Sequence, residues 1–110
     1  ILINGSDGPV EPIDPIASFY ASTTRKTLKG FPDFGYEPKQ KMTRIEALKS
    51  YTLNAAYGAF EENIKGSIEI GKYADFTVFS QNLITIPEDK ILDTKILYTI
   101  VNGVVEYQAN

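Results

Sequence analysis

The chain has 110 residues, a net charge of −3, 43% hydrophobic residues, and neither histidine nor cysteine. This composition favours a packed chain of one small domain or a piece of a larger one. The missing cysteines exclude disulfides, thiolate nucleophiles and cysteine-based zinc sites, and the missing histidines exclude most complete hydrolytic metal sites and Ser-His or Cys-His systems. Scattered basic residues argue against nucleic-acid binding, and no apolar run approaches the roughly 20 residues needed to span a bilayer.

The first residues are predicted to form a short buried strand. Residues 1–3 (Ile-Leu-Ile) are apolar, and the run stops at the polar, glycine-rich residues 4–9. Chain ends tend to be polar and loose, so a natural N-terminus rarely begins inside a buried strand. We therefore expect a piece of a larger fold, and this start does not resemble a signal peptide. The sequence does not fix the cellular compartment of the protein, although the cytoplasm is favoured.

Two helices are predicted next. The first runs from Pro15 to about Lys26, because Asp14 is a good N-cap and proline suits the first helical position. Residues 27–42 contain glycines and prolines among polar residues and form a long predicted loop. The second helix begins at Thr43, with Glu46 completing a capping box, and follows an alanine-rich apolar stripe to about residues 58–63.

The rest of the chain is predicted to contain strands. From Gly66 the apolar period changes to two, with Ile68 and Ile70 alternating with polar residues before a turn at Gly71. Three further strands are predicted at residues 76–79, 95–101 and 104–107. Asn102-Gly103 is a strong signal for a two-residue type I′ turn between the last two.

Asp7 is the sharpest candidate for chemistry. It lies in residues 5–10 (Gly-Ser-Asp-Gly-Pro-Val), directly after the predicted strand. In a parallel α/β barrel, active sites form at that end of the strands, where a carboxylate flanked by glycines can project from a close turn. The alternative is a simple turn in which the Asp7 side chain caps local N–H groups. The residues alone leave both readings open.

Four blocks resemble the amidohydrolase superfamily, and in particular its YtcJ-like subgroup. Residues 5–10, followed by Asp14-Pro15 and a helix, resemble the last barrel strand of these enzymes. Residues 42–48 and 51–56 resemble the following helical segment. Residues 66–79 resemble the return to a small β domain, and residues 99–107 its terminal hairpin. The blocks occur in order and cover nearly the whole chain.

The resemblance implies an α/β fragment. Residues 1–65 would be the last strand and helices of a TIM-like metal-dependent hydrolase barrel, and residues 66–110 part of a small β-sandwich domain. Asp7 would be both metal ligand and catalytic residue, binding a divalent metal (zinc) and handling the proton of a metal-bound water that attacks an amide or another C–N bond of a small molecule. The other ligands, mostly histidines, are absent from this sequence. The isolated chain is therefore expected to bind no metal and to be inactive.

The remaining polar features favour structural roles. Residues 66–75 lack the Gly-Lys-Ser/Thr ending of a phosphate-binding loop. The resemblance implies instead that Gly71 turns the chain and Asp75 fixes a strand start. The acidic pairs at residues 61–62 and 88–89 are expected to be solvated, and three tyrosines to pack (Tyr20, Tyr51 and Tyr57). The loop at residues 28–41 is left open as a border of a substrate pocket.

Two other functions stay open beside the hydrolase. One is a free-standing binding or oligomerisation module derived from such an enzyme. The other is an intact small enzyme of a different type, although no constellation of Lys, Ser, Tyr or carboxylate groups indicates one. We expect the chain to self-associate whether it is a hydrolase fragment or such a module, because the helix stripe and the strands would expose apolar faces and unpaired edges.

Overall fold

The structure is a computed structural model that describes all residues from Ile1 to Asn110. It contains three α-helices, three β-strands and two short 3₁₀ helices. The helices are α1 (Pro15–Thr24), α2 (Arg44–Tyr51) and α3 (Leu53–Gly58), the strands are β1 (Phe76–Phe79), β2 (Ile96–Val101) and β3 (Val104–Gln108), and the 3₁₀ helices are Pro38–Gln40 and Glu88–Asp93. None of the helices is long and apolar enough to cross a membrane.

Helix α1 begins and ends close to the predicted positions. The Asp14 carboxylate accepts the N–H groups of Ile16 at 2.9 Å and Ala17 at 3.2 Å, which satisfies donors that a helix start leaves free. The helix ends at Arg25, whose backbone is left-handed with φ 60°.

The predicted second helix is two helices. Its start is confirmed: the Thr43 hydroxyl accepts the Glu46 N–H at 3.2 Å, and the Glu46 carboxylate accepts the Thr43 N–H at 2.8 Å. The prediction of one continuous helix is wrong, because Thr52 leaves the helical region with φ −125° and ψ −96°. Its hydroxyl donates to the Leu48 carbonyl at 2.8 Å, the kind of local bond that competes with helix geometry.

The sheet is antiparallel, in the order β1-β2-β3. The turn between β2 and β3 has positive φ at both Asn102 (50°) and Gly103 (79°), which confirms the predicted type I′ turn. The Asp75 carboxylate accepts the Asn102 N–H at 2.8 Å, so Asp75 does fix the start of β1, against the hairpin turn.

Two segments predicted as strands are not strands. Residues 1–3 are irregular and at least half exposed, because a parallel strand needs a hydrogen-bonded neighbour and the sheet contains only β1, β2 and β3. The alternating segment is irregular at Ile68 and turns at residues 70–71 instead, and both Ile68 and Ile70 lie largely in solvent. The apolar periodicity of these two segments did not show that neither has a neighbouring strand to pair with.

The core lies among the helices. It consists of six buried residues from α1, α2 and the stretch of residues 83–91: Ile16, Phe19, Tyr20, Ala47, Leu83 and Ile91. No residue of β1, β2 or β3 is buried. Since Leu83 and Ile91 come from the second half of the chain, that half contributes to the helical core, and the division at residues 65/66 stays a prediction.

Candidate functional site

Asp7 lies in a tight turn. Its backbone is left-handed, with φ 50°, a region in which aspartate is enriched among non-glycine residues. Its carbonyl accepts the N–H groups of Val10 at 2.9 Å and Glu11 at 3.2 Å. The turn redirects the chain from its first segment towards the start of α1.

The Asp7 carboxylate is exposed and makes no hydrogen bond within the chain. The predicted turn therefore exists, but the Asp7 backbone carbonyl accepts its hydrogen bonds and the side chain does not. Asp14, seven residues later, is the opposite case, because its carboxylate is engaged in capping α1. Of the two, only Asp7 leaves its carboxylate oxygens available to a ligand.

Asn4 anchors the segment that leads to Asp7. Its side-chain amide donates to the hydroxyl of Ser50 at 3.0 Å and that of Ser22 at 3.4 Å, and its N–H donates to the Ser50 carbonyl at 3.1 Å. Ser50 is completely buried. Asn4 therefore ties the segment to both α1 and α2, three residues before Asp7.

Two further contacts hold the same segment on α3. The Asn54 side chain donates to the Leu2 carbonyl at 3.0 Å, and the Ile3 side chain lies where a β-carbon on Gly58 would stand. The role of Asn4 was not predicted from the sequence. A polar amide directly after an apolar run was the available signal, because a buried amide requires partners.

The 110 residues by themselves form no binding site for a metal ion. No three carboxylate, imidazole or thiolate side chains lie close enough together to hold one. A catalytic zinc takes about three protein ligands and a structural zinc four. Asp7 can supply one, so no catalytic step through a metal follows from these 110 residues.

No hydrogen bond joins the loop at residues 28–41 to Asp7. It follows the end of α1, whereas Asp7 precedes the start of that helix, and ten helical residues span about 15 Å. After the loop, the Met42 N–H donates to the Ser22 carbonyl at 3.0 Å. Residues 39–42 instead line a hollow of about 420 Å³ with Ile1 and Leu2. The contacts place the loop against the beginning of the first segment.

One member of each acidic pair is less solvated than predicted, whereas Asp89 is exposed as expected. Glu88 binds the Lys26 amine at 2.5 Å, which joins the end of α1 to the Glu88–Asp93 turn. This hydrogen bond raises the pKa of Lys26 above its ordinary value. Glu61 pairs with Lys65 in the same way and raises the pKa of that lysine. These are structural ion pairs with no metal-ligand arrangement.

Lys72, which lies near the glycines of residues 66–75, stabilises its own loop. The Lys72 amine donates to the Ser67 hydroxyl at 2.7 Å and lies 3.7 Å from the Glu69 carboxylate. The Lys72 side chain is only 10% exposed. The amine is thus engaged inside the loop, as the prediction of a structural segment requires.

An apolar groove of about 950 Å³ lies between the helices and the sheet. Its walls come from α1, α2, α3, the loop after Lys65 and strands β1 and β2, and no residue before Pro15 reaches it. Asp7 and this groove are therefore separate features.

Comparison with known proteins gives a consistent picture. The model of the amidohydrolase family matches residues 1–107. The chain is 32% identical to YtcJ of Bacillus subtilis, which is named as an amidohydrolase, over 98% of this chain and 20% of that protein. It is 31% identical to the N-substituted formamide deformylase of Arthrobacter pascens, over 94% of this chain and 18% of the enzyme.

A solved structure supports the fold. The amidohydrolase of Thermotoga maritima superposes with a TM-score of 0.60 at 23% identity, over 94% of this chain and 22% of that one. The chain thus spans about a fifth of the length of the relatives that it matches. A family match that covers nearly every residue settles the kinship: the chain belongs to the amidohydrolase family.

Proposed function

We propose that this chain forms the C-terminal portion of a metal-dependent hydrolase that acts on amide or other non-peptide C–N bonds of small molecules. The observation that carries the proposal is the family match over residues 1–107, with Asp7 inside the matched region. The relatives' names support the reaction class, since one of them removes formyl groups from N-substituted formamides.

Asp7 is the residue of this chain that we assign to the chemistry. Its support is geometric: an exposed carboxylate without an internal hydrogen bond, on a turn whose preceding segment Asn4 fixes to two helices. The carboxylate is available as a ligand of a divalent metal such as zinc and as a proton acceptor for water bound there. The other metal ligands would come from residues outside these 110, and the isolated chain would be inactive.

Hydrolysis by the natural gene product tests the proposal. The protein is purified with zinc and assayed first on N-substituted formamides and then on other small amides. The Asp7→Asn substitution keeps the shape of the side chain but removes its charge and basicity. We expect it to lower kcat by about 10²-fold or more, the range of a general base.

Asp33→Asn is the matched control, because Asp33 is also an exposed aspartate but lies on the loop after α1. It should leave kcat unchanged. An Asp7→Asn protein with wild-type turnover would overturn the role of Asp7. Failure to cleave any C–N bond substrate would overturn the reaction class.

A second candidate function, a free-standing binding or oligomerisation module, is favoured by the apolar groove between the helices and the sheet. Soluble monomers rarely leave large contiguous apolar surfaces uncovered. A natural product that cleaves no C–N bond and forms a specific oligomer would favour this candidate over the hydrolase.

A further inference from the structure

Asn4 and Ser50 are joined at two points. The Asn4 backbone N–H donates to the Ser50 carbonyl at 3.1 Å, and the Asn4 side-chain amide donates to the Ser50 hydroxyl at 3.0 Å. Since Ser50 is 0% exposed, water does not compete for its carbonyl or its hydroxyl. One bond fixes the backbone of residue 4 and the other fixes its side chain. The pair therefore sets both the position and the direction of the chain as it approaches Asp7.

The serine hydroxyls around Asn4 face it as acceptors. A serine hydroxyl has one hydrogen and two lone pairs. The Ser50 hydroxyl donates its hydrogen to the Ala47 carbonyl at 2.7 Å, and the Ser22 hydroxyl donates its own to the Ser18 carbonyl at 3.0 Å. Both oxygens are left to accept, so position 4 must supply a donor. An asparagine amide carries two N–H hydrogens and meets this requirement, whereas a leucine of similar shape does not.

Tyr51 completes the network on the helix side. Its phenol oxygen lies 3.2 Å from the Ser22 hydroxyl. Because the Ser22 hydrogen is already bonded to a helix carbonyl, Tyr51 is the donor of this bond. Ser22 then accepts from Tyr51 and, at 3.4 Å, from the Asn4 amide, which occupies both of its lone pairs. Each polar hydrogen of the four side chains has a partner, and a network satisfied in this way is rigid.

Asn4 is the fixed point nearest to Asp7 on the upstream side. Gly5 and Ser6, which lie between them, take part in no hydrogen bond within the chain. Three residues of extended chain span at most about 11 Å. On the downstream side the nearest fixed point is the Asp14 cap of α1, seven residues away. The place of the Asp7 turn against the helices therefore depends most directly on Asn4.

We propose that Asn4 is a positioning residue for Asp7, and that its amide network holds the Asp7 turn at one place against α1 and α2. The inference rests on the proposed function, in which the Asp7 carboxylate takes part in the reaction. Asn4 acts on that carboxylate through the backbone. A misplacement of about 1 Å can cost about 10²-fold in rate. Loss of the side-chain bonds alone leaves the backbone bond to Ser50 in place, so we expect a smaller loss of about 10-fold.

Kinetics of the natural gene product test the proposal. Asn4→Leu keeps the branched shape of the side chain but removes both N–H donors. It should lower kcat about 10-fold and leave KM within about twofold, because the placement of Asp7 affects the transition state and not substrate binding. Ser50→Ala removes the buried acceptor and should lower kcat about threefold, which also serves as the test if Asn4→Leu does not fold. The double variant should be no slower than Asn4→Leu alone, since both changes remove the same bond.

Asn63→Leu is the matched control: the same substitution at an exposed asparagine in the turn after α3. It should leave kcat and KM unchanged. Hydrogen exchange adds a readout that needs no turnover. The Val10 N–H, which donates to the Asp7 carbonyl, should exchange about 10-fold faster in Asn4→Leu and at the wild-type rate in Asn63→Leu.

Wild-type kcat in Asn4→Leu would overturn the positioning role, as would a raised KM with kcat unchanged. A double variant much slower than Asn4→Leu would contradict the shared bond. If the wild-type protein cleaves no C–N bond, the proposed function fails, and the exchange rate at Val10 then decides the positioning role by itself. Faster exchange in Asn4→Leu would support it, and unchanged exchange would overturn it.

Discussion

The helical part of the chain and its three-stranded sheet are held together differently. Phe19 of α1 and Ala47 of α2 are buried against Leu83 and Ile91, whereas β1, β2 and β3 have no buried residue. Partly buried Phe79 of β1 packs against this core, and the rest of the sheet depends on its backbone ladder, a type I′ turn and the bond between Asp75 and Asn102. Three strands need a packed face or a helix for independent stability. The helices therefore form the stable part, and the sheet is the part that most needs a covering partner.

The largest expected effect comes from the helical core. Phe19→Ala should lower the free energy of unfolding by about 3–5 kcal/mol, since it removes a side chain that is only 3% exposed. Val105→Ala on β3, at a side chain that is 52% exposed, should change it by about 0.5 kcal/mol or less. Urea unfolding measures both. If Phe19→Ala does not fold, Ile91→Val should still cost about 1 kcal/mol. Equal losses of unfolding free energy for Phe19→Ala and Val105→Ala would contradict this difference between the helices and the sheet.

Two glycines with positive φ compare a turn packed against the end of α1 with an open turn before the sheet. Gly35 has φ +83°, and a β-carbon there would lie 2.2 Å from the Thr24 carbonyl oxygen, a backbone atom at the end of α1. Gly71 has φ +94° but open space around it. Gly35→Ala should destabilise by about 3 kcal/mol, from overpacking added to backbone strain. Gly71→Ala should cost about 1 kcal/mol from strain alone. Thermal unfolding that ranks them in the reverse order would contradict the packing at Gly35.

Asn4 tests how firmly the Asp7 segment is held on the helices. Asn4→Ala removes the side-chain bonds to Ser50 and Ser22 and should cost about 2 kcal/mol, because the Ser50 hydroxyl is buried. Asn54→Ala, which removes an exposed bond to the Leu2 carbonyl, should cost about 0.5 kcal/mol or less. Hydrogen exchange should accelerate at the backbone N–H of residue 4, which donates to the Ser50 carbonyl, in the first variant only. No change there would mean that other contacts fix the segment.

The smallest effect is the pH dependence of α2. The Glu46 carboxylate accepts hydrogen bonds from the Thr43 N–H and hydroxyl, which lower its pKa below the ordinary value of 4.5. A lowered pKa gives stability that is present above pH 4.5 and lost as the pH falls through the folded-state pKa. Ellipticity at acid pH should therefore fall more in the wild type than in Glu46→Gln, whose side chain does not titrate. Identical dependence of ellipticity on pH in the two proteins would mean that the Glu46 carboxylate does not stabilise the start of α2.

Local signals in the sequence predicted much of the fold. The cap at Asp14, the capping box at Thr43 and the turn at Asn102-Gly103 each depend on a few neighbouring residues, and all three are present. Residues 1–3 and the Ile68–Ile70 alternation failed as strands, because strand formation requires a partner that the period of one segment does not specify. The break at Thr52 was missed for a related reason, since the apolar stripe continues past it.

The candidate site was predictable only in part. The resemblance singled out Asp7, whose catalytic role stays a prediction. Its surroundings were not predictable, because Asn4, Ser22 and Ser50 meet from three separate parts of the chain. The apolar groove likewise depends on how the sheet is placed beside the helices.

The intact mass of the natural gene product, isolated from its own source, tests most directly whether Asp7 is one ligand of a larger site. We expect a product of several hundred residues, large enough for a complete barrel of about 250 residues and comparable with relatives of which this chain spans about a fifth. A natural product near 12.2 kDa would contradict it, because no further metal ligands could then come from the same polypeptide.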